Sequence, residues 1–232
     1  DAVIIGAGVG GLLSAAGLAR AGKRVLVLEQ LSFIGGKFTH LVYKDYAITT
    51  AAWTCAGPKS RIGQLCSKLE APVDWVTIHE IGSPGDQWVL TGDGRRFGSL
   101  DDAQSTFVGG APGMAQVYRG MADMYGPGVE YPDEMTTREY IERFIPDNEE
   151  YMRYVQTIIT YCFASQTVDM FSAMETKRAI VDSIRNMQDW GTAVGGTKAI
   201  VDALGRVIED HGGQIATRTR VDSIELRDGR AV

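Results

Sequence analysis

Gly6, Gly8 and Gly11 fall in the order G-x-G-x-x-G, and a carboxylate, Glu29, stands 18 residues beyond the last of them. Residues of these types at this spacing can bind two linked phosphates and a ribose. The first glycine permits a tight turn, the second lets the main chain approach a pyrophosphate, and the third lets the following helix pack close to the strand. Val9 and Gly10 complete the turn at the helix start, where unpaired N–H groups and the positive dipole end favour anions. Glu29, with Gln30 beside it, sits where a carboxylate accepts hydrogen bonds from ribose hydroxyls. That suits an unphosphorylated adenosine ribose, so FAD or NAD fits and NADP does not. Just beyond, Gly35-Gly36-Lys37 offers further amides and one cation to the same pyrophosphate.

G-x-G-x-x-G alone is a weak pattern, so its context decides. Val3-Ile4-Ile5 reads as a short buried strand, Leu12 to Ala21 as a small-residue helix stopped by Gly22, and Arg24 to Glu29 as a second strand. The continuous run Val25-Leu26-Val27-Leu28 predicts a parallel strand covered on both faces. Strand, helix and strand within about 30 residues make a βαβ unit. Further on, Ser60 to Lys68 reads as a short helix and Val73 to Ile78 as a strand. Gln87 to Thr91 and Arg95 to Phe97 flank Gly92-Asp93-Gly94, a hairpin signal, so two or three antiparallel strands are expected between Val73 and Gly98.

From about Pro112 to Asn186 the pattern is mostly helical. Thr136 to Glu139 is a capping-box pattern, and Asp147 to Glu150 and Ser172 to Glu175 are further helix starts. All eight methionines lie between residues 114 and 187, which reads either as a helical core or as an adaptable wall around an apolar ligand. The chain then returns to α/β: Gly195-Gly196, a helix from Thr197 to Asp210, Gly212-Gly213, a strand at Gln214 to Thr217 and another at Val221 to Leu226. Arg227-Asp228-Gly229 and Arg230-Ala231-Val232 begin a return strand, so the chain reads as an N-terminal fragment with its C-terminal part missing.

Composition narrows the classes. With 44% hydrophobic and 22% charged residues the 232-residue chain is an ordinary globular sequence. Its 23 basic against 29 acidic residues give a net charge of −6, which argues against nucleic acid as a partner. No run of 18 apolar residues occurs. Cys55, Cys66 and Cys162 are odd in number and form no C-x-x-C pair, so neither a disulfide framework nor a metal site is expected, and a reduced, cytoplasmic setting is the simplest reading.

Val3 to Glu29 followed by Gly35-Gly36-Lys37 resembles the flavin amine oxidase and phytoene desaturase superfamily, most closely its phytoene desaturase branch. There a Gly-Gly-Arg element follows the first βαβ unit and contacts FAD; here lysine replaces arginine and loses the planar fork. Thr197 to Asp210 with Val221-Asp222-Ser223-Ile224 resembles the family's returning FAD-binding segment, in which the main chain at the position of Val221 meets the adenine. Where relatives carry Asp-x-Gly, this chain reads Ile48 to Trp53.

The resemblance implies an α/β fold. Residues 1–72 and 191–232 would form a Rossmann-like FAD-binding domain, and 73–190 an inserted, mostly helical α+β substrate domain. It implies FAD as cofactor and an oxidoreductase that desaturates, saturates or isomerises a small apolar polyene or isoprenoid-like substrate, with peripheral membrane contact where that substrate is drawn from a bilayer. A second chain or the missing C-terminal half would complete the flavin site. The alternatives are a flavin amine or porphyrinogen oxidase and a non-redox, lipid-binding protein of the GDP-dissociation-inhibitor kind. No catalytic residue is singled out. His40, His79 and His211 are far apart in sequence; His211 reads as a helix C-terminal residue, His40 as a minor candidate near the flavin side, and Cys55 as a buried inert thiol. Trp53, Trp75, Trp88 and Trp190 read as core or pocket wall.

Overall fold

A computed structural model of the protein describes residues 1–50, 57–77, 80, 89–126, 128–163, 167–178 and 191–231. Trp53, Cys55, His79, Trp88 and Trp190 lie outside the described residues. The chain forms two compact units, one of Asp1–Ser83 with Asn186–Val232 and the other of Pro84–Arg185.

The first unit is built on a parallel sheet. Strand β1 (Ala2–Ile5) leads through helix α1 (Val9–Arg20) to β2 (Val25–Leu28). The order in the sheet is β1-β2-β9, where β9 (Gln214–Ala216) follows the late helix α7 (Thr197–Asp210). The register aligns Ile4 with Val27 and Val27 with Ile215. These three side chains share one face, and α1 and α7 cover it: Leu12, Ala15, Ala16 and Ala19 of α1 meet Ile200, Val201, Leu204 and Ile208 of α7 in one buried cluster. Alanines on α1 keep that face thin, which lets α7 come close. Both helices stop alike. Gly22 and Lys23 donate back to Ala19 and Leu18, and Gly212 and Gly213 to Glu209 and Ile208, which satisfies carbonyls at each helix end.

The opposite face differs from the expectation of a sheet covered on both sides. Val3 is 59% and Ile5 50% exposed, and Leu26 and Leu28 are only half-buried. β1 also pairs with β2 alone among the described strands.

Two hairpin readings need correction. Val221 to Glu225 is irregular rather than a strand; the short hairpin is Leu226–Arg227 (β10) with Arg230–Ala231 (β11), turning on Asp228-Gly229. β5 (Trp75–Thr77) does not join the nearby hairpin of β6 (Val89–Leu90) and β7 (Arg96–Phe97). It pairs antiparallel with β8 (Gly191–Ala193), far along the chain. A further hairpin was not foreseen: β3 (His40–Tyr43) and β4 (Tyr46–Thr49) pair across Lys44-Asp45, with Leu41, Tyr43, Tyr46 and Ile48 exposed on one face.

Arg61–Lys68 forms helix α2 of the first unit, and the second unit is mainly helical: α3 (Leu100–Phe107), α4 (Ala111–Tyr125), α5 (Thr137–Glu142) and α6 (Glu149–Phe163). The capping box at Thr136 and Glu139 is present, and Asn148 Oδ1 accepts from the Tyr151 amide at 2.9 Å to cap α6. The Tyr140 hydroxyl donates to Gly120 O at 2.6 Å and also contacts Asp123, tying α5 to α4. Burial, ahead of its bond to Tyr131, pushes this phenol well above its ordinary pKa. Met124 and Met152 are buried, and Met114, Met135 and Met174 pack against the cores, whereas Met170 is 85% exposed. The methionines thus serve packing for the most part.

The closest approach in the first unit is at Gly11, where an added methyl would lie 2.1 Å from Gly6 O. Gly11→Ala is therefore expected to lower unfolding stability by about 1–3 kcal/mol, the cost of forcing atoms into a filled space. Urea denaturation followed by far-UV circular dichroism measures it; an unchanged midpoint would show that the turn does not need this contact.

Candidate functional site

The site lies where β1 ends and α1 begins. Gly6 N donates to Leu28 O at 2.8 Å, so the turn leaves the sheet directly. Gly8 is the N-cap of α1 and offers no side chain to the helix end; the first helical bond runs from Leu12 N to Gly8 O at 2.9 Å. The amides of Val9, Gly10 and Gly11 therefore have no capping side chain. Methyls added at Gly8 or Gly10 would meet nothing within 4 Å, so both main-chain positions border open space.

The Gly35-Gly36 loop is joined to this turn. Gly35 N donates to Ala7 O at 2.7 Å, Gly8 and Gly35 form a parallel bridge, and a methyl on Gly36 would lie 3.9 Å from Gly8 Cα. From behind, α7 supports the loop: a methyl on Gly35 would strike Val201 at 3.0 Å, and one on Gly205 would lie 3.2 Å from Ile34. From the far side, Thr50 Oγ1 donates toward Thr39 O (3.0 Å) and Gly36 O (3.2 Å). Thr39 itself is buried.

Glu29 closes the arrangement. It is 6% exposed; its Oε2 accepts from the Ala7 amide and its Oε1 from the Leu31 amide, each at 2.8 Å. The carboxylate thus faces the glycine turn. A carboxylate has about four lone-pair sites, so two remain to accept further hydrogen bonds. Beside it, Thr219 N donates to Glu29 O and Arg218 N to Leu31 O, both at 2.8 Å, so the segment after β9 crosses the same rim.

The structure therefore brings Gly6, Gly8, Val9, Gly10, Gly11, Glu29, Gly35 and Gly36 to one place. Gln30 and Lys37 are exposed at its edges, without a side-chain partner among the described residues. Val221 is half-buried in the irregular stretch beyond Thr219. His40 begins β3 and is half-buried; His211 caps α7, its Nδ1 2.8 Å from Val207 O. Cys66 is a buried cysteine in the core. Three contributors escaped the sequence reading: Ala7, whose amide Glu29 takes, and the Thr39 and Thr50 latch. No spacing marks them, because each acts through the main chain or across a turn. No group of acidic, histidine or cysteine side chains suited to a metal occurs among the described residues, nor does a helix long and apolar enough to cross a membrane.

The chain's similarities agree with this geometry. Residues 4–69 match the NAD(P)-binding Rossmann-like domain family. An uncharacterized protein of Methanocaldococcus jannaschii is 25% identical over 96% of this chain and 53% of its own length. The all-trans-retinol 13,14-reductase of Rattus norvegicus is 31% identical over 63% of this chain and 24% of its own. Among solved structures, an oxidoreductase from Methanosarcina mazei matches at 26% identity and a TM-score of 0.78, over 99% of this chain and 54% of the other. A putrescine oxidase variant shares the fold at 16% identity and a TM-score of 0.69, over 100% and 53%. The chain spans about half the length of these relatives or less. The strand-turn-helix frame and the second glycine loop locked to it are a Rossmann-like arrangement, and over nearly its whole length the chain shares the fold of these oxidoreductases.

Proposed function

We propose that the chain binds FAD through its adenosine diphosphate half, as part of an oxidoreductase acting on an apolar polyene or isoprenoid-like substrate. The observation that carries this reading is the meeting of Gly8 and Gly36 above an uncapped helix start, with Glu29 facing it. The Val9, Gly10 and Gly11 amides would hold the phosphates. Glu29 would take the ribose hydroxyls, and Lys37, exposed and without a partner among the described residues, would add one positive charge. Bare main chain at Gly8 and Gly10 leaves the room that a pyrophosphate needs.

Flavin, when bound, supplies hydride exchange with a carbon centre; the protein's share is binding, orientation and exclusion of water. The polyene reading rests on the likeness to a retinol reductase, and such a substrate would bring the protein to a membrane surface.

The sheet supports a further part of the reading. The order β9-β2-β1 is one half of a doubly wound sheet, whose ligand crevice opens at the switch point beside the first strand. That edge of β1 is unpaired among the described residues, and Val3 and Ile5 beside it are exposed. Parallel sheets are ordinarily covered on both faces. The occupant we propose is additional polypeptide of this same protein, adding a parallel strand to β1 and a cover to that face. Relatives about twice as long support it.

Two outcomes test these readings. Incubation with FAD and removal of the excess should leave a yellow protein with bound flavin absorbance. Gly8→Ala should leave thermal stability within about 0.5 kcal/mol, because its methyl points into open space, yet weaken binding at least about tenfold, or 1.4 kcal/mol. A colourless protein that takes up no FAD would instead favour a lipid-binding protein without redox chemistry. Secondly, the intact mass of the protein isolated from its source should be near twice that of 232 residues. A mass equal to this chain alone would overturn the proposal for the sheet edge.

A further inference from the structure

Arg218 is one of five non-glycine residues with positive φ among those described. Lys44 and Asp228 sit in hairpin turns, and Glu70 and Asp147 at helix boundaries. Arg218, at φ 55°, instead lies on the segment leaving β9. Its main chain is fixed there: Arg218 N donates to Leu31 O and Thr219 N to Glu29 O, both at 2.8 Å, while Leu31 N is held by Glu29 Oε1. A long, branched cation is a poor choice for left-handed backbone, which asparagine or glycine adopts more easily. Such a residue persists where its surroundings impose it, and residues of this kind gather at ligand clamps.

The side chain is exposed and has no hydrogen-bond or ion-pair partner among the described residues. Its neighbour Arg220 is already paired with Asp222 at 2.8 Å. No contact among the described residues therefore accounts for an arginine at 218.

Resting on the reading of Glu29 as the ribose acceptor, the position of Arg218 follows from the ligand's own connectivity. Phosphate leaves the ribose at one end, toward the start of α1, and the base leaves it at the other. With the ribose on Glu29, the base extends outward past the segment hydrogen-bonded to the Glu29 and Leu31 main chain, which is the segment carrying Arg218. We infer that Arg218 lays its guanidinium on the face of the adenine ring and so fixes the adenosine end of the dinucleotide. The planar, weakly hydrated guanidinium suits a flat aromatic face, where a lysine ammonium offers only a point charge.

The test is titration calorimetry of the 232-residue chain with ADP, comparing wild type with Arg218→Asn and Arg218→Lys. Asparagine tolerates left-handed backbone, so Arg218→Asn should melt at the same temperature or higher. It should nevertheless bind ADP about three- to thirtyfold more weakly, the range of a cation–π contact. Arg218→Lys should recover only part of that loss. Equal affinity in wild type and Arg218→Asn overturns the inference while leaving the dinucleotide site standing. Full recovery by Arg218→Lys overturns it in favour of charge alone. A loss confined to adenosine bisphosphate with its second phosphate on the 2′ hydroxyl overturns it in favour of a phosphate clamp. If the wild-type chain binds no ADP, the reading of Glu29 falls and this inference with it.

Discussion

The Glu29 carboxylate is the constraint on which the site depends. Glu29 is buried at the end of β2 and ties together three pieces of main chain remote from one another in sequence. One oxygen accepts from Ala7 in the glycine turn and the other from Leu31 on the way to the second loop, while the main-chain carbonyl of Glu29 accepts from Thr219 in the segment after β9. A buried carboxylate is costly unless hydrogen bonded. Here two amides satisfy it, and hydrogen bonds to a charged acceptor are roughly twice as strong as neutral ones. The group that would read the ribose is thus also the group that shapes its container. In the proposed site, phosphate and ribose recognition would be coupled through the Ala7 peptide, whose amide donates to Glu29 and whose carbonyl accepts from Gly35.

Packing explains why this tie holds. Ala15, Ala16 and Ala19 are fully or almost fully buried, so α1 lies close to α7, and α7 in turn presses Val201 toward Gly35 and leaves Gly205 open to Ile34. The second glycine loop is positioned from below by a helix nearly 170 residues away in sequence. The returning segment is therefore part of the site's foundation, and the inserted unit between them interrupts the chain without interrupting the core.

How much of this was legible in the sequence follows from the range of each interaction. α1, β2, α7 and the capping box at Thr136 are set by local signals, and each appears within a residue or three of its expected place. The antiparallel partner of β5 could not be read, because β8 lies more than 110 residues on and carries only Gly-Thr-Ala. The hairpin of β3 and β4 turns on Lys44-Asp45, without the Asn-Gly or Gly-rich pair that usually marks such turns. Val221 to Glu225 alternates like a strand, yet alternation gives a face and not a partner, and the described residues offer it no neighbouring strand.

The continuous apolar run of β2 shows the same limit from the other side. Val25 and Val27 meet the helices, while Leu26 and Leu28 point with Val3 and Ile5 to the uncovered face. A strand that alternates in burial but not in hydrophobicity carries apolar side chains for a surface that the described residues do not build. Burying a Val or Ile side chain is worth about 1.5–3 kcal/mol, so two half-exposed residues side by side on an open edge represent stabilisation not yet realised. On the proposed reading, the polypeptide that completes the sheet would add a further wall to a dinucleotide site whose phosphate and ribose contacts this chain already supplies.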